Sequence, residues 1–166
     1  MARGDYSSLV SGDVEWRIEN AFLDIIENNL DVGSVFNSDT VNVRVAKDTT
    51  AGDRAFPAIA IEATVSQSIP NTNEYRCLMR FFCETDGHMT DKSGEQVKAL
   101  LGALRDILHA DDIIDQINDQ QRGIQMNSAD SLHEGAAEDD SENEGGNFVR
   151  RMVLQADAWV YVGRAS

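Results

Sequence analysis

Two cysteines are the most nucleophilic side chains of this chain, and their spacing limits what they could do. Cys77 and Cys83 lie six residues apart in a segment that alternates apolar and polar residues. Along an extended strand that separation is about 20 Å, whereas a disulfide needs Cα atoms within about 7 Å. We therefore predict two reduced, buried thiols in a cytosolic protein. A catalytic pair of Cys83 with His88 has no supporting pattern.

The histidines and acidic residues do not form a recognisable metal-binding pattern. His88, His109 and His133 lie on separate segments without HxxxH, HExxH or CxxC spacing. The acidic residues from Asp140 onward imitate the start of an EF-hand loop, but the twelfth position is Arg151, where calcium requires a bidentate Glu. The pattern favours a solvated acidic loop over a calcium site. The chain also has no GxSxG, Walker or GxGxxG motif, so we predict no catalytic, cofactor-binding or metal-binding residues.

Arginine supplies eleven of the fourteen basic residues. Its planar guanidinium forms bidentate, partly buried ion pairs better than Lys does. These arginines either pair with acidic residues of the same surface or contact another subunit or partner, and both interpretations stay open. The candidate contact residues, which include two aromatic residues of the last predicted strand, are Arg76, Arg80, Arg150, Arg151, Trp159 and Tyr161.

The stretch 148–162 alternates almost throughout and predicts a long, half-buried strand. Its length of roughly 50 Å exceeds the diameter of about 40 Å expected for a globule of this size. We expect it to bend, bulge or run past its own domain, and an overhanging strand would pair with another subunit. Its predicted core face, broken only by Arg150, consists of Phe148, Met152, Leu154, Ala156, Ala158, Val160 and Val162.

Composition narrows the class of protein further. The chain has 166 residues, 42% of them hydrophobic, and a formal net charge of −15. This length suits one domain with a core. We find no run of about 18 apolar residues and no secretory signal, so we expect no membrane association. The negative charge argues against a protein that holds nucleic acid by neutralising phosphates, but it does not exclude one that DNA slides past.

Hydrophobic spacing predicts the order helix, three strands, two helices, a possible short strand, a loop and the final strand. The first helix should span 13–30, with Glu15 and Glu19 facing away from the core. Two of the strands should form a hairpin around Pro70. This order predicts an α+β fold with a single antiparallel β-sheet and helices packed on it.

Two segments should lie outside that packed structure. Residues 1–12 predict a flexible N-terminal arm before a single domain at 13–166. Residues 127–147 contain seven acidic and no basic residues, a composition that cannot bury enough surface to offset its ordering entropy. We predict a mobile acidic loop there.

The order of elements resembles the tail terminator and neck (head–tail joining) proteins of long-tailed bacteriophages. The resemblance covers most of 13–162 and lies in pattern and order rather than in a signature motif. The segments that carry it are VEWRIENAFLDII, FPAIAIEA, YRCLMRFFCE, GEQVKALLGALRDIL and FVRRMVLQADAWVYV. The long acidic segment departs from the family pattern.

This resemblance implies a structural virion protein without catalytic residues, which forms a ring, usually hexameric, at the junction of tail tube and head. Its partners would be further copies of itself, the tail tube protein and a head-completion or neck protein, and DNA would pass through the lumen without specific binding. Its location would be the virion tail, after assembly in the host cytoplasm. Another head–tail connector or tail-completion protein is the nearest alternative, and a small cytosolic enzyme or an acidic binding module is a third.

Overall fold

A computed structural model of the chain describes residues 14–31, 41–46, 56–70, 72–86, 93–119, 123–127, 131–144 and 147–162. The N-terminal arm predicted for 1–12 lies outside these ranges. The elements within them, in chain order, are α1 Val14–Asn29, β1 Asn42–Val45, β2 Ala58–Ser68, β3 Glu74–Asp86, α2 Ser93–Leu108, α3 Ile113–Asp119, β4 Ile124–Gln125, β5 Leu132–Asp139, β6 Glu142–Glu144 and β7 Asn147–Val162.

The strands form one sheet in the order β1-β2-β3-β7-β4, and β5 and β6 also pair with β7. The predicted α+β class is confirmed, as is the β2–β3 hairpin. The sheet is mixed rather than purely antiparallel, because β1 runs parallel to β2 with Val43 opposite Ile59. Alternation of apolar residues looks the same in either strand direction, so the pattern of Val43 and Val45 identifies β1 without orienting it.

The core lies between the helices and one face of the sheet. Phe22 of α1 meets Phe81 of β3 edge to face, with ring centroids 5.7 Å apart. Leu100 and Leu104 of α2 are fully buried in the same cluster. Each such side chain stabilises the fold by about 1.5–3 kcal/mol through burial. The strand residues of this cluster alternate along each strand and include Ile59, Ile61, Ala63, Cys77, Met79, Phe81, Cys83, Leu154, Ala156, Ala158 and Val160.

The long final strand β7 does not overhang the described sheet. Along one edge it pairs with β3 from Val149 to Tyr161 without interruption. Along the other edge it pairs in succession with β6, β5 and β4. Of the outcomes expected for this strand, running past its own domain does not occur in the described sheet, because three short strands that local periodicity could not reveal pair with β7.

The acidic stretch 127–147 contains two of those strands, so the prediction of a loop there is corrected. β5 pairs with residues of β7 from Met152 to Ala158, with an irregularity between Glu134 and Ala137. None of its residues is buried, and its order comes chiefly from backbone pairing rather than from apolar side chains. A prediction from composition considers only the apolar surface that a segment can bury, and it therefore misses this strand.

Two carboxylates of α1 close part of the sheet edge that β1 leaves free. Oε2 of Glu19 accepts the backbone N–H of Ala63 at 2.9 Å, and Oε2 of Glu15 accepts that of Val65 at 2.9 Å. β1 pairs with β2 only as far as Ile61, so these N–H groups would otherwise lack a strand partner. The expectation that Glu15 and Glu19 face away from the core is wrong, and Glu19 is only 4% exposed.

Cys77 and Cys83 are both free and buried, as predicted. They lie on the helix-covered face of β3, where they act as small apolar side chains. Within the described part of the chain, no helix combines the length and apolar character needed to cross a membrane.

Candidate functional site

The second face of the sheet carries most of the predicted contact residues. On β3 and β7, side chains alternate between the helix-covered face and this one. None of the helices that the structure describes contributes core contacts here. We define the open face as Arg76, Leu78, Arg80 and Phe82 of β3 with Gln155, Asp157, Trp159 and Tyr161 of β7.

Five of the six predicted contact residues share the side of the sheet that bears the open face, and the sixth does not. Register places Arg80 opposite Gln155 and Arg76 opposite Trp159. Arg150 points to the helix-covered side, with its guanidinium 4.9 Å from the ring centroid of Phe148. The six residues therefore do not form one surface.

Arg76 bridges the two central strands at the surface. Its guanidinium contacts the Asp157 carboxylate at 3.0 Å and lies 5.8 Å from the Trp159 ring centroid. Both charged side chains are more than one third exposed, so the ion pair contributes little to stability in water. Its effect is to hold a cation beside an indole ring, an arrangement suited to contact with a partner.

Arg151, another predicted contact residue, lies in a buried ion-pair cluster. Its Nε and Nη2 donate to Oε2 of Glu84 at 2.8 and 2.7 Å, while Arg44 donates to the other carboxylate oxygen at 2.6 Å. The Glu84 and Arg151 side chains are only 3% and 6% exposed. Such a pair is costly to break, so Arg151 belongs to a structural cluster and not to an accessible contact surface. Sequence analysis missed Glu84 and Arg44 because no local pattern links residues this far apart.

Charge is distributed unevenly between the layers. The strands β1, β2, β3 and β7 together contain five basic and five acidic residues. The three helices contain eight acidic and three basic residues, and β5 and β6 contain five acidic and no basic residues. The excess negative charge of the described residues therefore lies outside the central sheet, whose open face is close to neutral.

A cavity of about 280 Å³ lies on the opposite side of the sheet, between the end of α2, α3 and β5. At its rim, Glu134 of β5 accepts hydrogen bonds from Nε of Arg105 at 3.0 Å and contacts Nε2 of His109 at 2.9 Å. Burial alone would raise the pKa of the Glu134 carboxyl, but these two hydrogen bonds and the Arg105 charge lower it below its usual value. Glu134 thereby fastens β5 to the helix layer.

No protein-family model matches the chain, and no curated protein matches it. Among the described residues, no group of three or more His, Cys, Asp or Glu side chains is arranged to hold a metal ion. Within the described residues, the open face and the cavity beside α2 are surface features from which a function can be argued.

Proposed function

We propose that this chain is a structural subunit of a phage tail, which forms a closed ring at the end of the tail tube as a tail terminator. The order of its elements resembles that family. The observation that carries the proposal is the open face: a nearly neutral surface with arginine, tryptophan and tyrosine side chains on a chain of net charge −15.

Electrostatics favours the open face as the surface through which copies meet. Copies that each carry a formal charge of −15 repel one another, and the repulsion is strongest where two acidic surfaces approach. Contact through the neutral sheet avoids that arrangement. Arg, Trp and Tyr are also the residues most enriched in the energetically dominant parts of interfaces, and Trp159 with Arg76 supplies such a pair on this surface.

The same distribution suits a ring through which DNA passes. The acidic residues of the helices and of β5 and β6 would not neutralise phosphates, and a surface without such contacts does not retain DNA. The partners in this proposal are further copies of the chain, the tail tube protein and a head-completion or neck protein. A different head–tail connector would use the same kinds of contact. The tube end to which the protein binds distinguishes that role from the role of a tail terminator.

The test is to add the purified protein to tail tubes that lack their terminator. We expect rings at one tube end in negative-stain images, and tubes of uniform length when the protein is present during assembly. Absence of binding at every salt concentration, together with normal tail length and head joining in its absence, would contradict the proposal.

A charge-reversal pair tests whether the open face makes the contact. Arg80 is exposed on the open face, and Lys98 is exposed on α2. Arg80→Glu and Lys98→Glu change the net charge equally, so general repulsion affects both. We expect Arg80→Glu to abolish ring formation and Lys98→Glu to preserve it. If the two variants form rings equally well, the contact between copies does not lie on the open face.

A further inference from the structure

Tyr161 stands out among the apolar side chains that the structure describes. It is 38% exposed and is the one large hydrophobic residue of these ranges with an exposed side chain. Its backbone is fixed in β7 by pairing with Glu74 of β3 and Gln125 of β4. A rigidly held, exposed tyrosine has little conformational entropy to lose on binding, and tyrosine is a frequent anchor residue at interfaces.

The cavity beside α2 offers a site of suitable size and chemistry for such a side chain. Its volume of about 280 Å³ exceeds the roughly 150 Å³ of a cavity that holds a benzene ring. The lining of this cavity combines apolar side chains with polar groups that could accept a hydrogen bond from a phenol. The lining consists of Leu108, His109, Ala110, Asp111, Ile113, Ile114, Leu132, Glu134 and Ala156.

The two features lie on opposite sides of the sheet. Tyr161 belongs to the open face, whereas Ala156 lies on the helix-covered face and lines the cavity. The sheet therefore separates Tyr161 from the cavity of its own chain, and only another copy can bring the two together. A contact of this kind joins two different surfaces and can repeat from copy to copy. The series closes into a ring when the rotation between successive copies adds up to a full turn.

We propose that Tyr161 of one copy inserts into the cavity between α2, α3 and β5 of the next copy, and this inference rests on the ring proposed above. The aromatic ring would contact Leu108 and Ile113, and its hydroxyl would donate to Asp111 or Glu134 at the rim. The contact also sets the neutral open face against the acidic residues beside the cavity, at the C-terminal end of α2 and away from Lys98, so two acidic surfaces do not meet.

Site-directed cross-linking tests the proposal on assembled tubes. In the double variant Gln125→Cys with Ala110→Cys, which keeps Tyr161, each copy carries one reactive thiol directly opposite Tyr161 on β4 and one in the cavity lining. A short bismaleimide should then join neighbouring copies into a ladder up to the size of the ring. Each single variant, which has only one of the two sites, should give no such ladder. The native Cys77 and Cys83 are buried and should not react.

Binding to tube ends by side-chain variants gives a second measurement. We expect Tyr161→Ala to weaken it by about 30-fold or more, as for a dominant interface residue, and Tyr161→Phe to weaken it much less. Ile114→Trp should block binding from the cavity side, and its unfolding curve will show whether the fold is intact.

Rings of the double cysteine variant without a ladder, or full binding by Tyr161→Ala, would overturn this inference and leave the ring proposal standing. If the wild-type chain forms no ring, the proposed function itself fails.

Discussion

The guanidinium of Arg151 and the carboxylate of Glu84 form a buried ion pair, with Nη2 and Nε both within 2.8 Å of Oε2. The two residues lie directly opposite each other on the neighbouring strands β7 and β3. A third member, Arg44 of β1, contacts the other oxygen of Glu84. One carboxylate thereby links three strands of the sheet.

We expect Glu84→Ala to destabilise the protein by about 3–5 kcal/mol, because it leaves Arg44 and Arg151 buried without their common partner. The matched control is Glu138→Ala on β5, where the carboxylate is exposed and removal should change stability by less than about 0.5 kcal/mol. Urea unfolding of both variants measures the difference. Equal unfolding midpoints would show that the cluster does not stabilise the fold.

Glu19 should contribute to stability through the sheet edge. In Glu19→Ala the N–H of Ala63 loses its acceptor, and a buried unsatisfied donor costs about 1–3 kcal/mol. Glu19→Gln keeps an oxygen acceptor and should recover part of the loss. Glu27→Ala, exposed on the same helix, is the control. The edge-capping role is refuted if Glu19→Ala unfolds at the same urea concentration as Glu27→Ala.

Because the pKa of Glu134 is lowered in the folded protein, we expect the free energy of unfolding to depend on pH. The hydrogen bonds of Glu134 to His109 and Arg105 and the Arg105 charge outweigh burial and lower its pKa from the usual value of 4.5. A carboxyl with a lowered pKa in the folded state stabilises the fold fully above its unfolded pKa and loses that contribution as pH falls through the folded pKa. The difference in unfolding free energy between wild type and Glu134→Gln should therefore shrink as pH falls below the unfolded value of about 4.5. A difference that persists unchanged to pH 3 or grows there would contradict this assignment.

Thiol reactivity tests the placement of β3 in the core. Burial, and secondarily the nearby Glu84 charge, raises the pKa of the Cys83 thiol to about 12, so little reactive thiolate exists near neutral pH. We expect negligible reaction with Ellman's reagent in the native protein and two thiols after unfolding. Gln125→Cys, at an exposed position of β4, should react at once and verify the assay. Rapid reaction of either native cysteine would contradict the strand assignment.

Much of the architecture follows from local patterns. Alternation identified the core faces of β2, β3 and β7, since Ile61, Phe81 and Leu154 recur with the period of a strand. Helical spacing identified α1 and α2. Each of these features depends on which residues are apolar within a short window, and the packing of the sheet then follows because all the apolar faces must meet.

The remaining features depend on partners far away in the sequence. The acidic residues of β5 become a strand because β7 offers an edge, and Glu19 turns inward because β1 ends early. Arg151 was placed among the contact residues, although its partner Glu84 makes it structural. The cavity beside α2 is formed by residues of α2, α3, β5 and β7, so no sequence window could show that it exists. The local signal of the open face was the set of candidate contact residues Arg76, Arg80, Trp159 and Tyr161.

The most direct test is a single-particle reconstruction of tail tube ends with the protein bound. We expect a closed ring in which Leu78, Phe82 and Trp159 of the open face are buried at a subunit contact and Tyr161 lies against α2 of the next copy. A ring that leaves the open face in solvent would contradict the proposed contact surface. Tube ends that carry no protein under any assembly condition would contradict the proposed function.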